Sequence, residues 1–221
     1  MNKVLFIAPH PDDETLGCGG SILKHKHNGD SINWLIVTSI KGMSVSKEDI
    51  NNREHLIKEV SDAYNFDHTY SLKFPTTSLD VIPKKEIIHE FDKVFKELEP
   101  NLIYIPYRLD AHSDHEVVYD AAIACSKSFR TPSIKSIRCY QTISETEFGL
   151  RPEDSGFKPN LYIDISEFFE EKIKITHLYE TELGNHPFPR SIRSIEAQSI
   201  LNGSASGCSH AESFLIIKEI Q

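Results

Sequence analysis

Apolar residues along this chain fall into two alternating patterns. Mostly apolar runs at residues 3–7, 32–38 and 102–106 have the length and composition of strands buried on both faces. After the first run, Leu16, Gly20, Leu23 and His27 recur at helical spacing from a start near Thr15. After the second, Ile50, Ile57, Val60 and Tyr64 do the same, and Ser46 with Asp49 three residues on marks that helix start. A run over residues 68–74 predicts a short third strand. Pro83 then opens a helix whose apolar face is Ile87, Phe91, Val94 or Phe95, and Leu98, and Pro100 closes it. Ser113 and Glu116 form a capping box, which predicts a helix from Asp114 that buries Val118, Ala121, Ala122 and Cys125. From residue 134 the signal weakens. Strands are predicted at 137–140, 161–165 and 214–217, with helices from Ser166 to about Tyr179 and over 190–201.

This succession of strand and helix predicts a mostly parallel sheet with right-handed crossovers. At 221 residues, with no repeat, low-complexity tract or linker, the chain reads as one α/β domain over 1–221. A formal charge of -9 argues against a nucleic-acid surface, which needs a basic face. The first apolar run meets charge at Asp12, too early for a signal peptide, and no stretch approaches the roughly 18 apolar residues of a membrane span. Cys18, Cys125, Cys139 and Cys208 stand singly, without a C-x-x-C pair. They read as thiols in a reducing cytoplasm.

Two polar clusters change the picture. The first, His10-Pro11-Asp12-Asp13-Glu14, follows the first strand, at the edge where open α/β sheets place their ligands. Carboxylates before a helix are common caps. So many in one turn nevertheless call for a positive charge among them, which a divalent metal supplies. Gly17, Gly19 and Gly20 follow, but not in a G-x-G-x-x-G pattern, so they predict close approach of helix to sheet and no dinucleotide site. The second cluster, Asp110-Ala111-His112-Ser113-Asp114-His115-Glu116, follows the strand at 102–106 and falls on the same rim. Capping accounts for Ser113 and Glu116; it leaves the two histidines unexplained.

His10, Asp13 and His115 offer two imidazoles and a carboxylate, three ligands with one position open, the pattern of a catalytic zinc site. Zinc in such a site brings the pKa of a water toward about 7. Asp12, adjacent to the ligand Asp13 but facing away from the metal, is placed to take that water's proton. Asp114, two residues from His112, would hold that imidazole cationic to stabilise an oxyanion or protonate a leaving amine; its other reading is a charge at the helix N-terminus. Arg53 falls within the buried stripe of its helix, where it either snorkels or reaches a ligand. His186 and Arg190, in a Pro-rich stretch, could meet a sugar or an anionic group, or belong to an ordinary loop.

P-H-P-D-D-E followed by G-x-G-G, with H-x-D-H about a hundred residues later, resembles the LmbE/PIG-L family of zinc-dependent de-N-acetylases. The resemblance covers most of the chain, with weaker matches at Asp164-Ile165-Ser166, Pro187-Phe188-Pro189-Arg190-Ser191 and Ala211-Glu212. It implies a Rossmann-like sheet and removal of acetyl from N-acetylglucosamine units carried on lipids, inositol, malate or other sugars, so that the expected partner is a small-molecule acetamido-sugar substrate. It also implies zinc on His10, Asp13 and His115, Asp12 as base and His112 as electrophilic helper. The family often assembles, so a homo-oligomer is compatible with it. Two departures stand out: Asp110 and Ala111 occupy positions where several members carry tyrosine or arginine, and Leu56 replaces the Glu of an R-x-x-E after Arg53. Two other readings of the site remain, hydrolysis of an ester or non-sugar amide and a sugar- or nucleotide-binding module whose metal is structural.

Overall fold

The computed structural model describes residues 1–41, 43–150 and 156–221. Seven strands form a single sheet: β1 (Lys3–Ala8), β2 (Ser31–Ser39), β3 (His68–Pro75), β4 (Leu102–Pro106), β5 (Ser136–Tyr140), β6 (Leu161–Asp164) and β7 (Ala211–Glu219), in the order β3-β2-β1-β4-β5-β7-β6. The first five pair in parallel. β7 runs antiparallel between β5 and β6, which makes the sheet mostly parallel, as expected.

Period-two alternation assigns each side chain of the central strands to a face. Leu5 and Ile7 of β1 join Leu35, Val37, Ile103 and Ile105 in a core covered by α3 (Lys84–Leu98) and α4 (Ser113–Cys125). Val4, Phe6 and Ala8 join Trp34, Tyr104 and others in a second core under α1 (Asp13–His27), α2 (Lys47–Tyr64) and α5 (Phe169–Thr176). The glycines of α1 let it lie close to the sheet: a Cβ at Gly17 would come within 2.4 Å of Tyr140, and one at Gly20 within 2.7 Å of Ile165.

The C-terminal third departs from the sequence pattern. The helix expected from Ser166 through Tyr179 is α5 alone, followed by a 3-10 segment, His177–Glu182, bent at Tyr179. The bend carries the Tyr179 hydroxyl into the interior, where it donates to Glu14 Oε1 at 2.7 Å, a contact no local signal announces. The next helix, α6 (Ile192–Ser206), is longer than the predicted 190–201 and is capped by Ser191. The box expected at Ser113 is absent; α4 begins at Ser113, and the His112 side chain caps it.

Strand order reverses between β1 and β4, the switch point at which doubly wound sheets open a crevice beyond their carboxyl ends. The loops leaving these two strands carry the two polar clusters.

Candidate metal centre and reaction site

His10 sits on the turn from β1 into α1 and Asp13 opens that helix; Asp110 and His112 lie on the turn from β4 into α4, and Asp114 and His115 in the first turn of α4. Asp13 Oδ2 is the meeting point: His10 Nδ1 lies 3.2 Å from it and His115 Nε2 3.4 Å. The opposite nitrogen of each ring faces its own carboxylate. His115 Nδ1 is 2.7 Å from Asp110 Oδ2, and Asp110 Oδ1 accepts from the Thr146 hydroxyl at 2.7 Å. His10 Nε2 is 3.0 Å from Asp114 Oδ2, and the Asp114 carboxylate also accepts the Thr77 and Leu79 amides at 2.8 and 3.1 Å.

One atom of this set is unsatisfied. His115 is fully buried, and its Nε2 has no hydrogen-bond partner although Asp13 stands nearby. An orphaned buried polar atom is costly and calls for a reason. A divalent cation seated among His10, Asp13 and His115 supplies one, since each imidazole would face it with one nitrogen while a carboxylate orients the other. The donor set therefore fits a metal such as zinc. A second set, His10, His112 and Asp114, is also close enough to share an ion, but there the Asp114 carboxylate is already engaged by two amides.

The protonation balance agrees. Burial opposes a charge on His10, yet hydrogen bonds to Asp114 and Asp13 outweigh it and raise its pKa to about 9. Burial likewise opposes a charge on His115, but the Asp13 charge and the Asp110 hydrogen bond raise its pKa to about 10. Burial would push Asp13 up; the two imidazoles hold it far below the ordinary carboxylate range. Protons stand here where a cation's charge would otherwise be.

Asp12 turns away from this centre. Its backbone takes a positive φ of 139°, unusual for a residue with a side chain, and its amide donates to Glu14 Oε2 at 3.2 Å. Its carboxylate accepts from Arg190 Nη1 at 3.2 Å; burial, Asp13 and Glu182 together raise its pKa well above the usual value. Burial also raises Glu14, to about 7. Arg53 does not snorkel to solvent. Nη1 donates to Glu182 Oε1 at 3.1 Å and Nη2 to the Pro11 carbonyl at 3.4 Å, which places it on the rim.

The structure corrects the expected pairing of Asp114 with His112. The Asp114 carboxylate goes to His10, and only its backbone N–H reaches His112, donating to Nδ1 at 3.1 Å. Residues two apart in a first helical turn do not face each other, whereas the β1 loop brings His10 across. A ring that accepts at Nδ1 keeps its proton on Nε2, so His112 is a neutral donor and no imidazolium. Burial and the neighbouring His10 lower its pKa, in the same sense.

A cavity of about 240 Å³ opens over these groups, lined by His10, Asp12, Asp13, Arg53, His112 and Arg190 among others. His186 is exposed and is not part of that lining. Asp110 stands outside this lining, behind His115; it belongs to the second sequence cluster, where it has no assigned role although an aspartate five residues before a histidine in a strand-to-helix turn is a legible signal. Glu182, Thr142, Ser144 and Glu145 had no local signal at all. Thr142 Oγ1, Ser144 Oγ and the Nε atoms of Arg53 and Arg190 are buried without partners, so polar valence is left over on the walls of this cavity.

A family model described as PIG-L, GlcNAc-PI de-N-acetylase, matches residues 5–126. The chain is 24% identical to diacetylchitobiose deacetylase of Thermococcus kodakarensis over 100% of its own length and 85% of that protein. Among solved structures, N,N'-diacetylchitobiose deacetylase from Pyrococcus horikoshii superposes with a TM-score of 0.77 at 20% identity, covering 97% of this chain and 83% of that one. The 4-carboxy-2-hydroxymuconate hydratase GalB from Pseudomonas putida superposes with a TM-score of 0.73 at 14% identity, covering 100% and 98%. At these identities the structural likeness speaks for the fold alone, and the same fold serves both a deacetylase and a hydratase.

Proposed function

This chain belongs to the PIG-L, or GlcNAc-PI de-N-acetylase, family, and from that premise we propose that it is a zinc-dependent hydrolase of N-acetylglucosamine-type sugars or sugar conjugates, releasing acetate and a free amine. The observation that carries this reading is the convergence of His10 and His115 on Asp13 Oδ2, where the buried Nε2 of His115 lies 3.4 Å away without making a hydrogen bond while Asp110 holds the far side of the ring. His10, Asp13 and His115 would hold the zinc. Once bound, zinc supplies a Lewis acid that polarises the amide carbonyl and makes a water acidic enough to attack at neutral pH.

The chain's own groups do the rest. Asp12 accepts the proton of the attacking water on its carboxylate and passes it to the departing nitrogen, and its raised affinity for protons suits that duty. Arg190, bonded to Asp12 Oδ2 and 3.7 Å from Glu182, fixes the direction of that carboxylate. His112 donates its Nε2 proton to the carbonyl oxygen as charge develops there; a neutral imidazole can perform this task. Asp114 and Asp110 orient the two ligand imidazoles, so Asp114 serves His10 and not His112. Arg53 and the polar wall of Thr142, Ser144 and Glu145 would meet sugar hydroxyls. Three buried free thiols suit a reducing cytoplasm, and among the described residues no helix is long and apolar enough to cross a membrane.

The test is to strip the protein with a chelator, reload it with zinc and offer a panel of N-acetylhexosamine conjugates beside O-acetyl sugars. Primary amine and acetate should appear in equal amounts from the N-acetyl compounds and only after reloading. Release from O-acetyl sugars alone would make it an esterase, and zinc-loaded protein that binds sugars without turnover would make it a binding module.

A further inference from the structure

Of the carboxylates in the first cluster, Glu14 is the one to which the reaction gives no task. It is buried and stands outside the lining of the reaction cavity, which keeps it from the substrate. Its side chain acts as an acceptor: Oε1 accepts from the hydroxyls of Thr15 and Tyr179, each at 2.7 Å, and Oε2 from the Asp12 amide at 3.2 Å. A Glu that reaches back to an N-cap amide is half of a capping box, so helix capping accounts for the last of these bonds. It does not account for what the bond does to Asp12.

Asp12 is the N-cap residue of α1, and an aspartate there ordinarily folds its carboxylate over the amides of the first turn. Asp12 makes no such bond. Its φ of 139° and ψ of -31° lie where residues with side chains rarely go, and this turn of the backbone carries the carboxylate out to Arg190 Nη1 at 3.2 Å. The residue is held at both ends. Its carbonyl accepts from the Thr15 and Leu16 amides at 3.0 and 2.9 Å, as at any helix start, whereas its N–H depends on the Glu14 side chain. Glu14 is in turn fixed from outside α1, by Tyr179, which is buried at the bend of the segment His177–Glu182. The end of that segment brings Glu182 to 3.7 Å from Arg190. One bend therefore braces Asp12 from two directions, through its amide and through the guanidinium on its carboxylate.

Building on the deacetylase reading, we propose that Glu14 is a positioning residue for Asp12, with Tyr179 as its clamp. Their bonds hold the Asp12 backbone in its strained turn and keep its carboxylate aimed into the cavity. Without them Asp12 relaxes to an ordinary N-cap, its carboxylate folds onto the amides of α1, and the reaction loses its proton acceptor while the metal ligands and the sugar-facing wall stay in place.

The test uses the zinc-loaded, full-length protein and the N-acetylhexosamine conjugate that it turns over best, with kcat, KM and zinc affinity measured for each variant. Glu14→Gln should lower kcat by about 10²-fold, the usual cost of misplacing a reacting group by about 1 Å, and leave KM and zinc affinity unchanged. Tyr179→Phe, which removes a single hydroxyl and keeps the ring's packing, should lower kcat by about tenfold with the same split; it carries the test if Glu14→Gln does not fold. Because the effect runs through Asp12, neither substitution should cost anything further in an Asp12→Asn background. Losses that add to that of Asp12→Asn, or wild-type kcat in both variants, would overturn the inference while leaving the deacetylase reading in force. Zinc lost together with activity would make Glu14 a brace of the metal centre and overturn it too. No turnover by the wild-type protein would remove both.

Discussion

Two histidine–aspartate pairs of the same length lie at opposite ends of this fold. At the carboxyl rim, His115 Nδ1 meets Asp110 at 2.7 Å; in the last turn of α1, His25 Nδ1 meets Asp30 at 2.7 Å. The difference is at the other nitrogen. His25 Nε2 finds the Tyr104 hydroxyl at 2.9 Å, and Tyr104 in turn accepts from Arg138 at 2.7 Å. His115 Nε2 finds no hydrogen-bond partner. Burial is the leading influence on both rings and lowers His25, whereas Asp13 and Asp110 reverse it at His115 and raise its pKa to about 10. A histidine–aspartate pair is therefore no signature of function by itself. A closed pair is a structural brace; a pair with one nitrogen left over among other ligands is a place for something else to bind.

The sharpest way to separate the two pairs is to remove each ring. His115→Ala should bring bound metal and deacetylation to background, as read by metal analysis and amine release. Next in size, Asp12→Asn should keep its metal and lose about 10²–10⁴-fold in kcat; wild-type turnover by that variant would remove Asp12 from the reaction. Asp110→Asn and Asp114→Asn should each weaken metal affinity by about 10–100-fold, the usual cost of losing an outer carboxylate, in a competition titration with a chelator. If Asp114 served His112 instead, Asp114→Asn would change kcat and leave metal affinity alone.

The smallest effect belongs to the closed pair. His25→Asn should leave metal and kcat unchanged and cost about 1–3 kcal/mol of stability in denaturant melts, the cost of opening a buried polar network. Its pH signature follows from linkage. His25 binds its proton less readily folded than unfolded, so its stabilisation is complete above its ordinary value of 6.5 and declines as pH falls toward the depressed folded value. The His25→Asn variant should lack that decline, and an unchanged slope would show that another group sets it.

The central parallel strands, the α1 to α4 succession and both polar clusters were legible in the sequence, because each rests on local periodicity or on residues within one turn. Convergence of His10, Asp13 and His115 was legible too, since both clusters follow strands and a parallel sheet brings such ends to one rim. What failed was pairing. Asp114 was matched with its chain neighbour His112, while the fold gives its carboxylate to His10, 104 residues away. Glu182 reaches Arg53 across 129 residues and Tyr179 reaches Glu14 across 165, and the bend that delivers Tyr179 broke a helix which periodicity alone would have continued. Contacts of that range are fixed by packing, and no window of sequence contains them.

The claim that the unsatisfied His115 nitrogen is a metal ligand is tested most directly by anomalous diffraction from crystals of the zinc-loaded protein. The account predicts one strong peak shared by His10, Asp13 and His115, with Asp110 and Asp114 still bonded to the far sides of the two rings. A peak held instead by His10, His112 and Asp114, or no peak on this rim at all, would contradict it.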